Sequence, residues 1–145
     1  MTAQKIRPIA IGIFRKADSI LVYEGYDPRK DQTFYRPLGG GIDFGEHSQD
    51  TLIREIREEL GAEIANVCYL GTLENIFVYD GQPGHEFVAV YGATFADPGF
   101  YEGDELIGYE DTGIAFRAVW KLLDTFRQGG APLYPEGLLA LLEVE

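Results

Sequence analysis

Thr51-Leu52-Ile53-Arg54-Glu55-Ile56-Arg57-Glu58-Glu59-Leu60, with Gly61 behind it, is the most informative run of this 145-residue chain. At helical periodicity Leu52, Ile53, Ile56 and Leu60 gather on one face, which predicts an amphipathic helix with that face in the core. Ser48 is placed to cap its start and Gly61 to end it. On a neighbouring arc Glu55 stands one turn from both Glu58 and Glu59. Like charges at those spacings destabilise a helix, and the last turn, where the helix dipole is negative, prefers cations. Several local rules are broken together on one face, which points to a site.

The missing partner is most simply a divalent cation. Oxygen-only donors suit a hard ion such as Mg²⁺ or Mn²⁺. Two histidines, His47 and His85, and a single cysteine do not support a structural zinc site. The alternative is a solvated acidic face in which Arg54, four residues before Glu58, supplies an ion pair. The preceding loop favours a site. Gly39-Gly40-Gly41 allows backbone groups to approach an ion or a phosphate without Cβ obstruction. It is not a P-loop, because no Gly-Lys-Ser/Thr follows.

Working outward, the chain length fits a single domain over residues 1–145, large enough to bury a core without disulfides. Hydrophobic residues make up 46% and aromatics 13%, so wholesale disorder is not expected. The lone Cys68 excludes an internal disulfide, fits a reducing cytoplasm, and reads as a buried strand residue. No apolar run approaches bilayer length. The apolar stretch Ile6–Phe14 runs straight into Arg15-Lys16 and reads as a strand rather than a signal peptide. Twelve Lys and Arg against 24 Asp and Glu give a net charge of −12, a field that repels long nucleic acid. A small phosphorylated ligand remains compatible if cations and a few arginines offset that field locally.

Ile9–Phe14 and Ile20–Tyr23 read as the two strands of a hairpin, with Tyr26–Thr33 as a loop. Val67–Tyr79 and Glu86–Phe95 read as two longer strands joined by the turn Asp80–Gly84. Pro98–Gly113 reads as an acidic loop, Ala118–Trp120 as a short strand, and Leu122–Arg127 as a helix. A last helix is expected from Pro135, at a first-turn position, to Glu143. The mixed order predicts an α/β fold, a mixed sheet covered by helices.

Gly40, Glu46, Arg54, Glu55, Ile56, Glu58, Glu59, Gly61 and Ala62 together resemble the Nudix box, G-x5-E-x7-R-E-U-x-E-E-x-G-U with U a bulky aliphatic residue. Ala62 is the single departure, small where a larger aliphatic is usual. The resemblance implies the Nudix fold, an α/β/α sandwich with a central mixed sheet. It implies Mg²⁺ or Mn²⁺ bound by Glu55, Glu58, Glu59 and the carbonyl of Gly39, with Glu46 and Arg54 bracing the loop against the helix. Hydrolysis of a nucleoside diphosphate linked to another group follows from the same resemblance, by in-line attack of water on phosphorus. The catalytic residues it implies are Glu55, Arg54 and Glu110. Glu110 resembles a later-loop glutamate that completes the site in several members, with Glu105 and Glu102 as alternatives.

The attached group is less legible. Arg36 and Gly40 are candidate phosphate contacts, and His85-Glu86 is either a strand end or part of the pocket. Tyr79, 17 positions past the box, stands where dinucleoside-polyphosphate hydrolases of the family tend to have a tyrosine; Phe77 and Val78 occupy the zone where ADP-ribose hydrolases tend to have proline. Tyr23, Tyr26, Phe34, Tyr35 and Phe77 are further aromatics able to stack on a base or fill the core. A homodimer is expected from the relatives. A non-catalytic nucleotide sensor of the same fold would have lost some of the box carboxylates, all of which are present. An isopentenyl-diphosphate isomerase would need a catalytic cysteine in a motif that Cys68 lacks.

Overall fold

The computed structural model describes residues 4–143. Alternation along the first strand organises the architecture. In β1 (Ile6–Ile13), Ile9, Ile11 and Ile13 enter one apolar cluster, while Ala10 and the following Phe14 enter a second on the opposite face. The same division recurs in β3 (Ser19–Asp27), with Ile20 and Val22 on one side and Leu21 on the other. β7 (Gln82–Phe95) also obeys it, sending Val88 and Val90 one way and Tyr91, Ala93 and Phe95 the other. Strands buried on both faces need covering layers on both. Helix α1 (Ser48–Leu60) covers one face with Leu52 and Ile56; α2 (Leu123–Arg127) and α3 (Leu138–Glu143) cover the other with Leu123, Phe126, Leu138 and Leu142. The result is the expected α/β/α sandwich.

The strands form two sheets. One is mixed, in the order β5-β1-β7-β6, where β5 is Leu38–Gly41 and β6 is Ile64–Tyr79. Within it β1 runs antiparallel to β5 and parallel to β7. The other runs β2-β3-β9-β8, with β2 Arg15–Lys16, β8 Glu105–Tyr109 and β9 Ala115–Leu122; β4 (Gln32–Arg36) pairs with β3. No helix among the described residues is long and apolar enough to cross a membrane.

Several expectations are corrected. Ile9–Phe14 and Ile20–Tyr23 do not pair as a hairpin: the buried Phe14, stacked on Phe95 at 4.2 Å, ends β1, and only Arg15-Lys16 turns back onto β3. The Tyr26–Thr33 loop is shorter, because β3 runs to Asp27 and β4 starts at Gln32. Asp27 ties that turn down by accepting from the backbone N–H groups of Arg29, Lys30 and Asp80. The Asp80–Gly84 turn contracts to Asp80-Gly81, both at positive φ, as a two-residue hairpin turn requires. The 98–113 segment is not a plain loop, since it contains a 3-10 turn at Pro98–Tyr101 and all of β8. The last helix begins at Leu138 rather than Pro135, because Gly137 has φ 88° and cannot belong to it. Cys68 is exposed; register shifts on either side, between Ala65 and Cys68 and between Tyr69 and Gly71, break the simple alternation.

Helix α1 begins one residue earlier than capping logic predicts. His47 is the N-cap and makes no side-chain cap, while the Ser48 hydroxyl pairs with the Tyr91 hydroxyl at 2.5 Å. Gly61 closes the helix in the left-handed conformation, as expected. Ala62, small for its place in the box, is nonetheless buried in the α1-side cluster. The helix lies close to β1 because Gly12 has no side chain: a Cβ there would meet Leu52 Cδ1 at 2.9 Å. Leu52 is fully buried. Leu52→Ala is therefore expected to lower stability by about 2–5 kcal/mol, read as a shift in the urea midpoint at unchanged slope; a change under about 0.5 kcal/mol would refute this packing.

Candidate active site

Strand β5 and helix α1 bring the glycine run and the box carboxylates together. A cleft of about 240 Å³ is lined by Gly39, Gly40, Glu59, Glu86 and Glu110, with Arg7, Arg36 and Tyr23 along its rim. Gly39 and Gly40 pair with Ile11 and Ala10 of β1. A Cβ on Gly39 would overlap the Ala10 carbonyl oxygen, and one on Gly40 would overlap the Glu55 carboxylate. Both glycines are thus required by close approach, and Gly40 leaves Glu55 the space it occupies.

Arg54 ties the loop to the helix. Its Nε donates to Glu46 Oε2 at 2.8 Å, and its Nη2 donates to Glu46 Oε1 at 2.9 Å and to the Gly41 carbonyl at 3.2 Å. Its Nη1 donates to Glu55 at 3.0 Å and to Glu58 at 3.3 Å. Thr51 adds a 2.6 Å hydroxyl donation to Glu46. Hydrogen bonds from Arg54 and then Thr51 hold the Glu46 carboxyl down to about 2, and the Glu46 and Glu55 carboxylates raise the Arg54 pKa well above its ordinary value. The sequence reading of Arg54 and Glu46 as a brace matches this geometry. Arg54 turns its N–H groups to the carboxylates and the loop rather than to the open cleft.

The three helix glutamates differ. Glu58 is exposed and engaged by Arg54. Glu55 is largely buried, and burial pushes its pKa up against the opposing hydrogen bond from Arg54. Glu59 is the anomalous one. Its Oε1 is buried with no hydrogen-bond partner, and burial, then the negative charges of Glu55, Asp111, Glu110 and Glu58, raise its pKa to about 8. A buried, unpaired carboxylate among carboxylates is strongly unfavourable unless a proton or a cation joins it. Among the described residues no three of these groups already converge as a cage. The donors present, all oxygen and mostly anionic, fit a hard divalent cation.

Glu110 stands directly after β8, in the turn to β9, where its N–H donates to the Ile114 carbonyl at 2.9 Å. This places it in the cleft with Glu59. Glu105 is instead bound to Arg117 at 2.7 Å, and Glu102 is exposed beyond the 3-10 turn. Arg36, from β4, lines the cleft. Tyr79 is not brought to the carboxylates; it is half-exposed, lies edge-on to Phe34 at 6.0 Å and donates to the Tyr26 carbonyl at 3.2 Å. It borders an adjoining pocket of about 410 Å³. Of the pair His85-Glu86, His85 bonds the surface Glu74 at 2.7 Å, and Glu86 points into the cleft. Sequence reasoning missed Arg7 and Asp111; neither lies in a motif, and only the parallel pairing of β1 with β7 and the β8–β9 turn bring them in.

A carboxyl group whose pKa is higher folded than unfolded binds more protons in the native state, so its stabilising effect is lost as pH rises. For Glu59 the window runs from about 4.5 to about 8. With divalent cations chelated, the melting temperature is expected to fall across that range, and to fall less in Glu59→Gln. Parallel pH profiles for the two proteins would contradict the burial of this carboxylate.

Comparison with known proteins agrees with the box and the fold. The family described as NUDIX domain matches residues 5–136. Over 68 residues the chain is 35% identical to the NAD-capped RNA hydrolase NudC of Pseudomonas putida, and 37% identical to that of Pseudomonas fluorescens; each match takes in 47% of this chain and 24% of the relative. The matched stretch is thus a minor part of those longer proteins. A NUDIX hydrolase from Nitrosomonas europaea superposes with a TM-score of 0.67 at 19% identity, covering 96% of this chain and 87% of the other. A MutT NUDIX hydrolase from Burkholderia pseudomallei gives 0.64 at 22%, covering 98% and 100%. With a family match across most of its length and the same fold in solved members, the chain belongs to the NUDIX family.

Proposed function

We propose that the chain, acting as one domain in the cytoplasm, is a divalent-cation-dependent pyrophosphohydrolase that cleaves a phosphoanhydride bond in a small nucleoside diphosphate derivative. The observation that carries this reading is Glu59, whose buried oxygen lacks a partner beside the charges of Glu55, Glu58, Glu110 and Asp111 in a cleft lined by two glycines. Glu55, Glu58 and Glu59, with the Gly39 carbonyl, would hold Mg²⁺ or Mn²⁺. When bound, the ion supplies Lewis-acid neutralisation of the diphosphate oxygens and lowers the pKa of water.

The chain's own residues do the rest. Gly39 and Gly40 let β1 and the Glu55 carboxylate pack close against the cleft, and Arg36 draws the negative charge of the diphosphate into it. Arg54 keeps Glu55 and Glu58 in place while Glu46 anchors Arg54 to the loop. Glu110 faces the same cleft from the β8–β9 turn and takes the proton of the attacking water. The Pseudomonas relatives named for NAD-capped RNA hydrolysis support a diphosphate substrate. The net charge of −12 supports a small one over a long RNA.

A panel of ADP-ribose, dinucleoside polyphosphates, NAD, nucleotide sugars and (d)NTPs with Mg²⁺ or Mn²⁺ tests the reading. One class is expected to yield phosphate-containing products, with kcat/KM down ~10²-fold or more in Glu59→Gln. Equal turnover by the folded variant would overturn the assignment of Glu59. Tight nucleotide binding without any product would make the protein a sensor instead.

A further inference from the structure

Arg7, Glu86 and Asn75 form a continuous polar row across three neighbouring strands. Arg7 of β1 is the register partner of Glu86 in β7, and Glu86 is the register partner of Asn75 in β6. All three line the 410 Å³ pocket, and Arg7 and Glu86 line the catalytic cleft as well. The row is therefore the wall at which the two cavities meet. Glu86 and Asn75 are 3% and 7% exposed, a depth at which polar groups ordinarily have partners. Glu86 Oε1 has none. Arg36 stands 3.9 Å from this oxygen and Arg7 3.7 Å from Oε2, both beyond hydrogen-bond reach.

Beyond the row the pocket changes character. Phe34, Tyr79 and Tyr134 form its aromatic wall, Phe34 lying 6.0 Å from Tyr79 and 5.7 Å from Tyr134 between ring centroids. A flat or ring-shaped group fits beside such a wall. A buried carboxylate with an adjacent amide accepts neutral N–H or O–H donors and disfavours an anion. Arg7 and Arg36, which line both cavities, do the reverse at the boundary itself. The boundary thus joins the glycine- and carboxylate-lined cleft to a pocket whose aromatic wall stands beside a buried acceptor.

We propose that Glu86, with Asn75 beside it, determines substrate specificity by accepting hydrogen bonds from paired neutral donors on the nucleoside lodged in the aromatic pocket. The donors are either the amino or imino edge of the base or the ribose diol. The inference rests on the proposed cleavage of nucleoside diphosphate derivatives, and it deepens that reading by naming what the non-reacting half must carry.

The test is equilibrium binding of nucleoside 5′-monophosphates to the full chain in EDTA, so that neither cation nor turnover enters. GMP, whose base edge carries both the N1–H and the exocyclic N2–H donors, is compared with IMP, which keeps only the N1–H, and each ribonucleotide with its 2′-deoxy counterpart, which lacks one hydroxyl of the diol. Wild type is expected to favour the member with both donors, GMP over IMP or the ribo over the deoxy form, ~10-fold, as befits a buried acceptor left partly unpaired by the other. A preference among bases assigns the base edge, and one between ribo and deoxy forms assigns the diol. Glu86→Gln and Asn75→Ala, each checked for an intact melting transition, are expected to reduce that preference to within ~2-fold. Absence of binding across the panel, equal binding within every pair, or full preference retained in either folded variant overturns the proposal. Cleavage by wild type in the separate turnover assay, together with any of those results, leaves the hydrolase reading standing and removes only this one.

Discussion

Arg54 supplies the interaction on which the site depends. Its guanidinium reaches Glu46, Glu55, Glu58 and the Gly41 carbonyl, so one cation spans the strand, the helix and the loop between them. A lysine, a point charge with no planar fork, could not serve these acceptors together. The brace also explains how a helix with three glutamates in two turns stays folded. Two of them are partly compensated from within the chain, and the deficit is concentrated on Glu59.

That deficit is placed by backbone geometry. β1 lies between β5 and β7, so a single strand carries Ala10 and Ile11 beneath the glycine run and, a few residues earlier, Arg7 beside Glu86. Ile9 and Ile11 of the same strand belong to the core under α2 and α3 and also line the cleft. Core packing and site placement are therefore carried by one strand, and the helix rests on Gly12, where a larger residue would force it away.

The parts of the molecule legible in the sequence were those written in local periodicity or in fixed spacing. The box helix, its glycine stop, the two long strands and the sandwich class all followed from residues close together in the chain. What escaped depended on long-range pairing. Phe14 looks like the end of a hairpin strand, yet its burial against Phe95 sends β1 and β3 into different sheets. Cys68 looks like a buried strand residue because the register shifts around it leave no mark in composition. Ser48 is a good capping residue by type, but Tyr91, 43 positions away, engages its hydroxyl. At the site, Glu110 was visible as an acid in an acidic region. Arg7 was not visible at all, because nothing near it in the chain hints at a neighbour 79 positions later.

The shared ladder through β5, β1, β7 and β6 has a consequence for regiochemistry. The glycines beneath the acidic helix and the row Arg7–Glu86–Asn75 are fixed to one another by strand register rather than by flexible loops. Under the proposed function, a ligand grasped at both ends is measured against that register, and the linkage cleaved is the one that falls over the carboxylates. On this reading, the choice of which anhydride breaks is set by hydrogen-bonded alignment in the sheet, and chain-length discrimination among oligophosphates comes from the same alignment.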